Sequence, residues 1–303
     1  MRVGTYNVLG ICGFPKDAAK LALGGPESDE RIAHFVDAFA HLQTDILHLE
    51  EGVTLAMAQR IADGMGRYAA TFASPMDWSA NGLGQGCTGH VLSRWPILES
   101  RTFSHHPPVS TGPTKKPRGG VGNGLADGGA VFSRCAGAAL LDVGGGTTVW
   151  AVTVHLHPGD VPMRKAEAQA LKRKLLELLA VSPHVVVSGD FNCTTEEDVH
   201  GMLLELGFVN ALDSIGGGCL HQPTMDTLGI TPEASMAGNG SNGGSIDHIY
   251  ASASLAPRLR AAEVVRSVGF RQEHTAPEGR WAHSDHLPVV ADFAVSWSTA
   301  AKL

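Results

Sequence analysis

Two hydrophobic periods take turns along the chain. Short apolar runs predict strands, and segments with apolar residues every three or four positions predict helices. RVGTYNVLG (2–10) reads as a strand, and DERIAHFVDAFAHL (29–42) puts Ile32, Phe35, Val36 and Phe39 on one helical face with Asp29 as the expected N-cap. DILHLEE (45–51) is a second strand and TLAMAQRIADGMG (54–66) a short helix closed by glycine; HVLSRWPILESRTF (90–103) is a strand broken at Pro96. AALLDV and TTVWAVTVHLH form a hairpin around the glycines 144–146. MRKAEAQALKRKLLELLA (163–180) is the clearest helix, with Ala166, Ala170, Leu171, Leu175 and Leu178 as its apolar face. PHVVVSGDFN (183–192) is a buried strand run to its end, followed by a helix over 195–206 and the strands SIDHIYAS and LPVVADFAV. Two glycine-rich stretches without a period, 106–130 and 229–245, read as long loops that shape the mouth of a site. No repeat or linker divides the chain, so one domain over 1–303 is expected. Hairpins mixed with helical crossovers predict an α/β protein of two mixed sheets packed together and covered by helices.

The strands share a feature at their ends, where polar residues recur. Asn7 follows VGTY, Glu51 ends DILHLEE, His155 lies in TVHLH, and Asp190 and Asn192 end VVVSGDFN. Asp247 and His248 sit in SIDHIY, and Asp285 and His286 precede LPVVADF. Singly, each has an ordinary structural explanation: asparagine forms turns, aspartate caps helices, and a strand histidine is usually a satisfied core residue. Together they repeat a carboxylate at four apolar strand ends, which is unfavourable unless the carboxylates are paired or bind a cation. Convergent ends would make a pocket of oxygen ligands suited to Mg²⁺, Mn²⁺ or Ca²⁺ better than to zinc. Neither an H-E-x-x-H motif nor a cysteine pair supports a zinc site.

Composition narrows the function classes. Apolar residues make up 43% and charged residues 17%, a globular composition, and no apolar run reaches the roughly 18 residues that span a bilayer. The first residues already alternate as a strand with no apolar signal segment before them, so the expected location is the cytoplasm. The five cysteines are scattered and odd in number, which argues against a disulfide framework. A formal charge of −7 and 6% aromatic residues argue against a surface that grips nucleic acid throughout. The short basic clusters are Lys115, Lys116 and Arg118 in the first loop, which could reach substrate from a lid, and Lys172, Arg173 and Lys174, a solvated helix face.

The series T-Y-N-V (5–8), L-E-E (49–51), V-H-L (154–156), G-D-F-N (189–192), I-D-H-I-Y (246–250) and S-D-H-L-P-V (284–289) resembles the endonuclease/exonuclease/phosphatase superfamily, as does GHVLSRWPI (89–97). The resemblance runs in the family's order from residue 3 to about 294, and six motifs in sequence make it specific. It implies the deoxyribonuclease-I-like four-layer α/β sandwich. It further implies Glu51 as metal ligand, with Asn7 and Asp285 helping to hold the metal or its waters. Asp190 would prepare the attacking water and Asn192 position it. His155 would contact the phosphate, His286 stabilise the transition state, and Asp247 orient His286. His248, Lys115 and Arg118 are expected at the substrate.

Three positions depart from the pattern. Glu50 replaces the usual glutamine, and strand alternation is expected to let only one of Glu50 and Glu51 face the pocket, Glu51 by the match. Gly244 and Ser245 stand where an arginine often precedes I-D-H, and Leu9 where some nucleases carry an acid; both point away from nuclease activity. The sequence therefore predicts a divalent-metal-dependent phosphoesterase acting by in-line attack of water, on a small phosphodiester or phosphomonoester in preference to duplex nucleic acid. A metal-dependent nuclease on DNA or RNA is the alternative. A binding protein on the same fold is the second alternative, and it would show an eroded catalytic set, whereas every principal position here is filled.

Overall fold

The structure, a computed structural model, describes residues 1–25, 28–52, 54–72, 89–104, 135–157, 161–215, 222–225, 244–266, 270 and 274–295. Lys115, Arg118, the loop 106–130 and all but Gly244 and Ser245 of 229–245 lie outside the described residues. Two six-stranded mixed sheets are flanked by helices. Across the first sheet the order is β11 (Leu259–Val264), β14 (Val289–Phe293), β1 (Arg2–Asn7), β2 (Ile46–Glu50), β4 (Gly89–Ser93) and β3 (Tyr68–Phe72). The second runs β5 (Ile97–Ser104), β6 (Cys135–Gly144), β7 (Thr147–His155), β8 (Val185–Asp190), β10 (Asp247–Ala251) and β9 (Val209–Asn210). A separate hairpin pairs β12 (His274–Ala276) with β13 (Gly279–Trp281). The helices are α1 (Lys16–Leu23), α2 (Asp29–His41), α3 (Leu55–Met65), α4 (Val161–Leu179), α5 (Asp198–Leu204) and α6 (Ala211–Ser214).

Period-two alternation divides the second sheet between two cores. Val185 and Val187 of β8, with Trp150, Val152 and Val154 of β7, pack under Leu171, Leu175 and Leu178 of α4. Val186, Ala151 and Ile249 face the opposite way, into the larger core shared with the first sheet. The layer between the sheets is unusually polar near the candidate site: Thr5, His48, Glu50, Thr153 and Ser188 are all buried there. His48 Nδ1 bonds to the Ser188 hydroxyl, and burial lowers the imidazole to about 3, so it is neutral.

Four details differ from the sequence reading. Ser28, not Asp29, caps α2, its hydroxyl accepting from Arg31 N at 3.2 Å. The helix expected over 195–206 is confined to Asp198–Leu204, entered through a turn. The break at Pro96 is a change of sheet, because β4 and β5 belong to different ones. Finally, α4 turns two charged residues inward, Arg164 and Glu167, where the apolar pattern marks only alanines and leucines. Among the described residues no helix is long and apolar enough to cross a membrane.

Candidate functional site

Strand direction gathers the polar ends. β1 and β2 are parallel, as are β7 and β8, so each pair finishes on the same edge. β10 runs antiparallel to β8 and β14 antiparallel to β1, so these two begin where their neighbours stop. The register sets His155 beside Asp190 and Asp190 beside Asp247. Asp285 and His286 lead into β14 at the same edge of the other sheet.

Asp190, 1% exposed, is the hub. Its Oδ1 accepts from Asn192 N at 2.8 Å and its Oδ2 from Asn7 Nδ2 at 3.0 Å. The same Oδ2 lies 3.3 Å from His155 Nε2 and 3.8 Å from His286 Nε2. Burial opposes ionisation, but the two imidazoles and the Asn192 amide outweigh it and hold the carboxyl below the usual aspartate range. Asn192 has φ +52° and donates its Nδ2 to Leu156 O at 2.8 Å, tying the ends of β8 and β7 together.

His286 Nδ1 lies 2.9 Å from Asp247 Oδ2, which fixes the orientation of the ring and turns Nε2 toward Asp190. Burial disfavours the charged imidazole, yet Asp247 and Asp190 raise its affinity for the proton well above the ordinary value. Burial raises Asp247 as well, so the pair keeps its shared proton. Thr224 Oγ1 accepts from the amides of Ile246 and Asp247 at 3.1 and 3.2 Å and fixes the start of β10. Thr224 carried no signal in the sequence; its role comes from a segment distant in the chain.

Glu51 reaches the pocket by a route that strand alternation does not describe. It lies beyond the end of β2 with φ +48°, and its Oε1 accepts from Asn7 Nδ2 at 3.3 Å and stands 3.9 Å from His155 Nε2. Asn7 Oδ1 accepts from Leu9 N at 3.1 Å, so in this arrangement the amide orients Glu51 and Asp190 through its NH₂. Asp285 is raised by burial, with His286 acting against the shift and the charge of Glu51 adding to it.

Two residues stand apart from this group. His248 is fully buried on the opposite face of β10, its Nε2 against Cys193 O at 3.1 Å and its Nδ1 against Asn210 Nδ2 at 3.2 Å. Neighbours on a strand point to opposite sides, so a pocket-facing Asp247 sends His248 into the core. Burial lowers that imidazole to about 4. Glu50 lies beneath the pocket between the sheets, accepting from Thr5 Oγ1 at 3.0 Å and Thr153 Oγ1 at 3.0 Å.

Burial, and then the charge of Asp247, lift Glu50 to about 8 against the two threonine bonds. In the unfolded chain a glutamate ionises near roughly 4.3. Between those values the native state holds a proton that the unfolded state has lost, so stability falls as pH rises through the window. Glu50→Gln removes that fall. In metal-free protein its melting temperature should pull ahead of wild type from pH 5 to pH 8, by roughly 5 °C at the upper end. Parallel melting curves across this range would show that Glu50 is ionised in the folded state.

The described residues contain one group of three or more acidic, histidine or cysteine side chains whose ligand atoms lie within 4.8 Å of one another: Asp190, Asp247 and His286. Asp247 Oδ1, buried and without a hydrogen-bond partner among the described residues, and the Glu51 and Asp285 carboxylates, whose charges act on each other, fit a hard cation held by oxygen.

The family model described as Endonuclease/Exonuclease/phosphatase family matches residues 4–286. No curated protein matches the chain in sequence. Among solved structures, the chain is similar to a mannosyl-6-phosphatase of Bacteroides thetaiotaomicron, with 17% identity, TM-score 0.67, and coverage of 97% of this chain and 100% of that one. It is similar also to a 3′ phosphatase from Neisseria bound to a product DNA hairpin, with 18% identity, TM-score 0.61, and coverage of 97% and 100%. The human Nocturnin catalytic domain with a bound sulfate anion gives 17% identity, TM-score 0.60, and coverage of 97% and 94%. At these identities the likeness shows the deoxyribonuclease-I-like fold.

Proposed function

The chain belongs to the endonuclease/exonuclease/phosphatase family, and from that membership and the geometry of its site we propose that it is a divalent-metal-dependent phosphoesterase. The observation that carries the reading is the buried Asp190 carboxylate held between His155 and His286 where the strand ends of both sheets meet. Glu51 and Asp285 would hold the cation, with Asn7 orienting the carboxylates and Asp190 close by. Mg²⁺, or Mn²⁺ or Ca²⁺ in its place, would supply charge at the phosphoryl oxygens as a Lewis acid.

The side chains supply the remaining chemistry. Asp190 takes the proton of the attacking water, and Asn192 fixes the loop in which that carboxylate sits. His286 keeps its proton because Asp247 lies behind it, so a positive charge faces the developing negative charge on phosphorus. His155 adds a second imidazole on the other side of Asp190. Such a site acts by positioning and by charge placed in advance. The histidines and carboxylates bonded around Asp190 suit one phosphate group better than a long polyanion, so the proposed substrate is a small phosphodiester or phosphomonoester.

The test is hydrolysis by the purified protein of a bis-aryl phosphate, an aryl phosphate, sphingomyelin, RNA and plasmid DNA. EDTA should abolish activity, Mg²⁺ or Mn²⁺ should restore it, and a small ester should be cleaved fastest. Full activity after exhaustive chelation would refute the metal dependence. Plasmid cleaved fastest, at a rate falling steeply with salt, would establish the nuclease alternative.

A further inference from the structure

We propose that Arg164 of α4 is a positioning residue, a buried guanidinium that clamps the loops following β7 and β8 and so fixes the spacing of His155, Asp190 and Asn192. The last link in the ladder between these strands is Leu156 N to Asp190 O at 2.9 Å. Beyond it the backbone ladder gives way to a side-chain bond, Asn192 Nδ2 to Leu156 O at 2.8 Å, while Leu156 remains fully buried. The helix takes over from there. His157 N donates to Glu167 Oε2 at 2.8 Å, and His157 O accepts from Arg164 Nη1 at 2.9 Å. Arg164 then forks onto Glu197 beyond β8, with Nε to Oε2 at 3.1 Å and Nη2 to Oε1 at 2.5 Å. One side chain therefore holds the backbone two residues after His155 and a carboxylate five residues after Asn192.

Burial is what separates this contact from ordinary helix packing. Arg164 is 2% exposed, and a guanidinium removed from water is unfavourable unless all its bonds are met. The adjacent link, Lys165 of α4 to Asp198 at the start of α5 at 2.8 Å, lies at the surface without that penalty. A planar guanidinium holds a carboxylate with two parallel bonds and a carbonyl with a third donor in fixed geometry, which an ammonium on a flexible stem does not reproduce. His155 Nε2 stands 3.3 Å from Asp190 Oδ2, a separation that depends on both loops staying in place.

The catalytic consequence rests on the reaction proposed above. Arg164→Lys keeps the charge and loses the fork. Its kcat on whichever phosphoester wild type hydrolyses should fall about tenfold, with KM within about twofold. Mn²⁺ affinity should also stay within about twofold, because Glu51 and Asp285 are not on the clamped loops. Lys165→Gln should keep wild-type kcat. Independently of any substrate, hydrogen exchange at the Leu156 and His157 amides should accelerate in Arg164→Lys, while β2 and β10 keep their protection. Glu197→Gln should give the same pattern at smaller size and replaces Arg164→Lys if that variant does not fold. Wild-type exchange at Leu156 and His157 overturns the clamp, as does a loss of kcat that only tracks the unfolded fraction. Faster exchange in a protein whose wild type hydrolyses no phosphoester sinks the proposed reaction and leaves the clamp standing.

Discussion

Asp190→Asn should lower kcat by about 10³-fold while leaving the fold intact. The substitution changes few atoms in a well-defined setting. Oδ1 survives to accept from Asn192 N, now at 2.8 Å, so the turn after β8 is retained. At the other position an NH₂ replaces the oxygen on which Asn7 Nδ2, at 3.0 Å, and His155 Nε2, at 3.3 Å, converge. The amide cannot take a proton from water, and His286 loses one of the nearby anions that favour its charged form. Both effects act on the reacting centre, so KM should change far less than kcat. Single-turnover hydrolysis at saturating substrate, with melting temperature in parallel, checks this. A rate within tenfold of wild type would mean that another carboxylate of the group prepares the water.

Much of that site is legible in the sequence, because the arrangement rests on strand periodicity and on where apolar runs stop. Asn7, His155, Asp190 and Asp247 each sit at the end or start of a strand, with His286 in the bend that leads into β14, and parallel and antiparallel pairing brings those ends to one edge. The pattern does not show where the backbone leaves the strand regime. Alternation over Glu50 and Glu51 treats the pair as a choice between two faces. In the structure Glu50 takes the inner face below the pocket, and the left-handed turn at Glu51 swings its carboxylate over the top. The same rule applied to Asp247 and His248 would have removed His248 from the pocket in advance, since one strand cannot send neighbours to one side. Arg164 and Glu167 escape for a different reason. A helix face is read from its apolar residues, so a charge turned inward to bond a distant backbone looks like solvated surface. The transfer of the chain from β4 in one sheet to β5 in the other depends on contacts that no local period records.

Gly189→Ala should yield no folded protein, the second large effect and one of a different kind. Gly189 has φ +149°, a conformation that side-chain-bearing residues rarely adopt, and a Cβ built on it would lie 1.8 Å from Val154 O. That obstacle is backbone, and it cannot step aside. Val154 is the register partner of Gly189 in the parallel pair, flanked by Thr153 against Ser188 and His155 against Asp190. To clear the methyl group, β7 and β8 would have to separate, breaking the ladder under α4 and the His155–Asp190 contact at once. Such a clash exceeds the ~4–5 kcal/mol that marks the most damaging single substitutions. The expected readout is insoluble expression, or soluble protein without a cooperative melt, in contrast to Asp190→Asn one position along, which should melt like wild type and fail only in turnover. A soluble Gly189→Ala with a melting temperature within about 3 °C of wild type would show that the two strands can part locally. In that event the spacing of His155 from Asp190 would have to be held from outside the sheet, which is the task assigned above to Arg164.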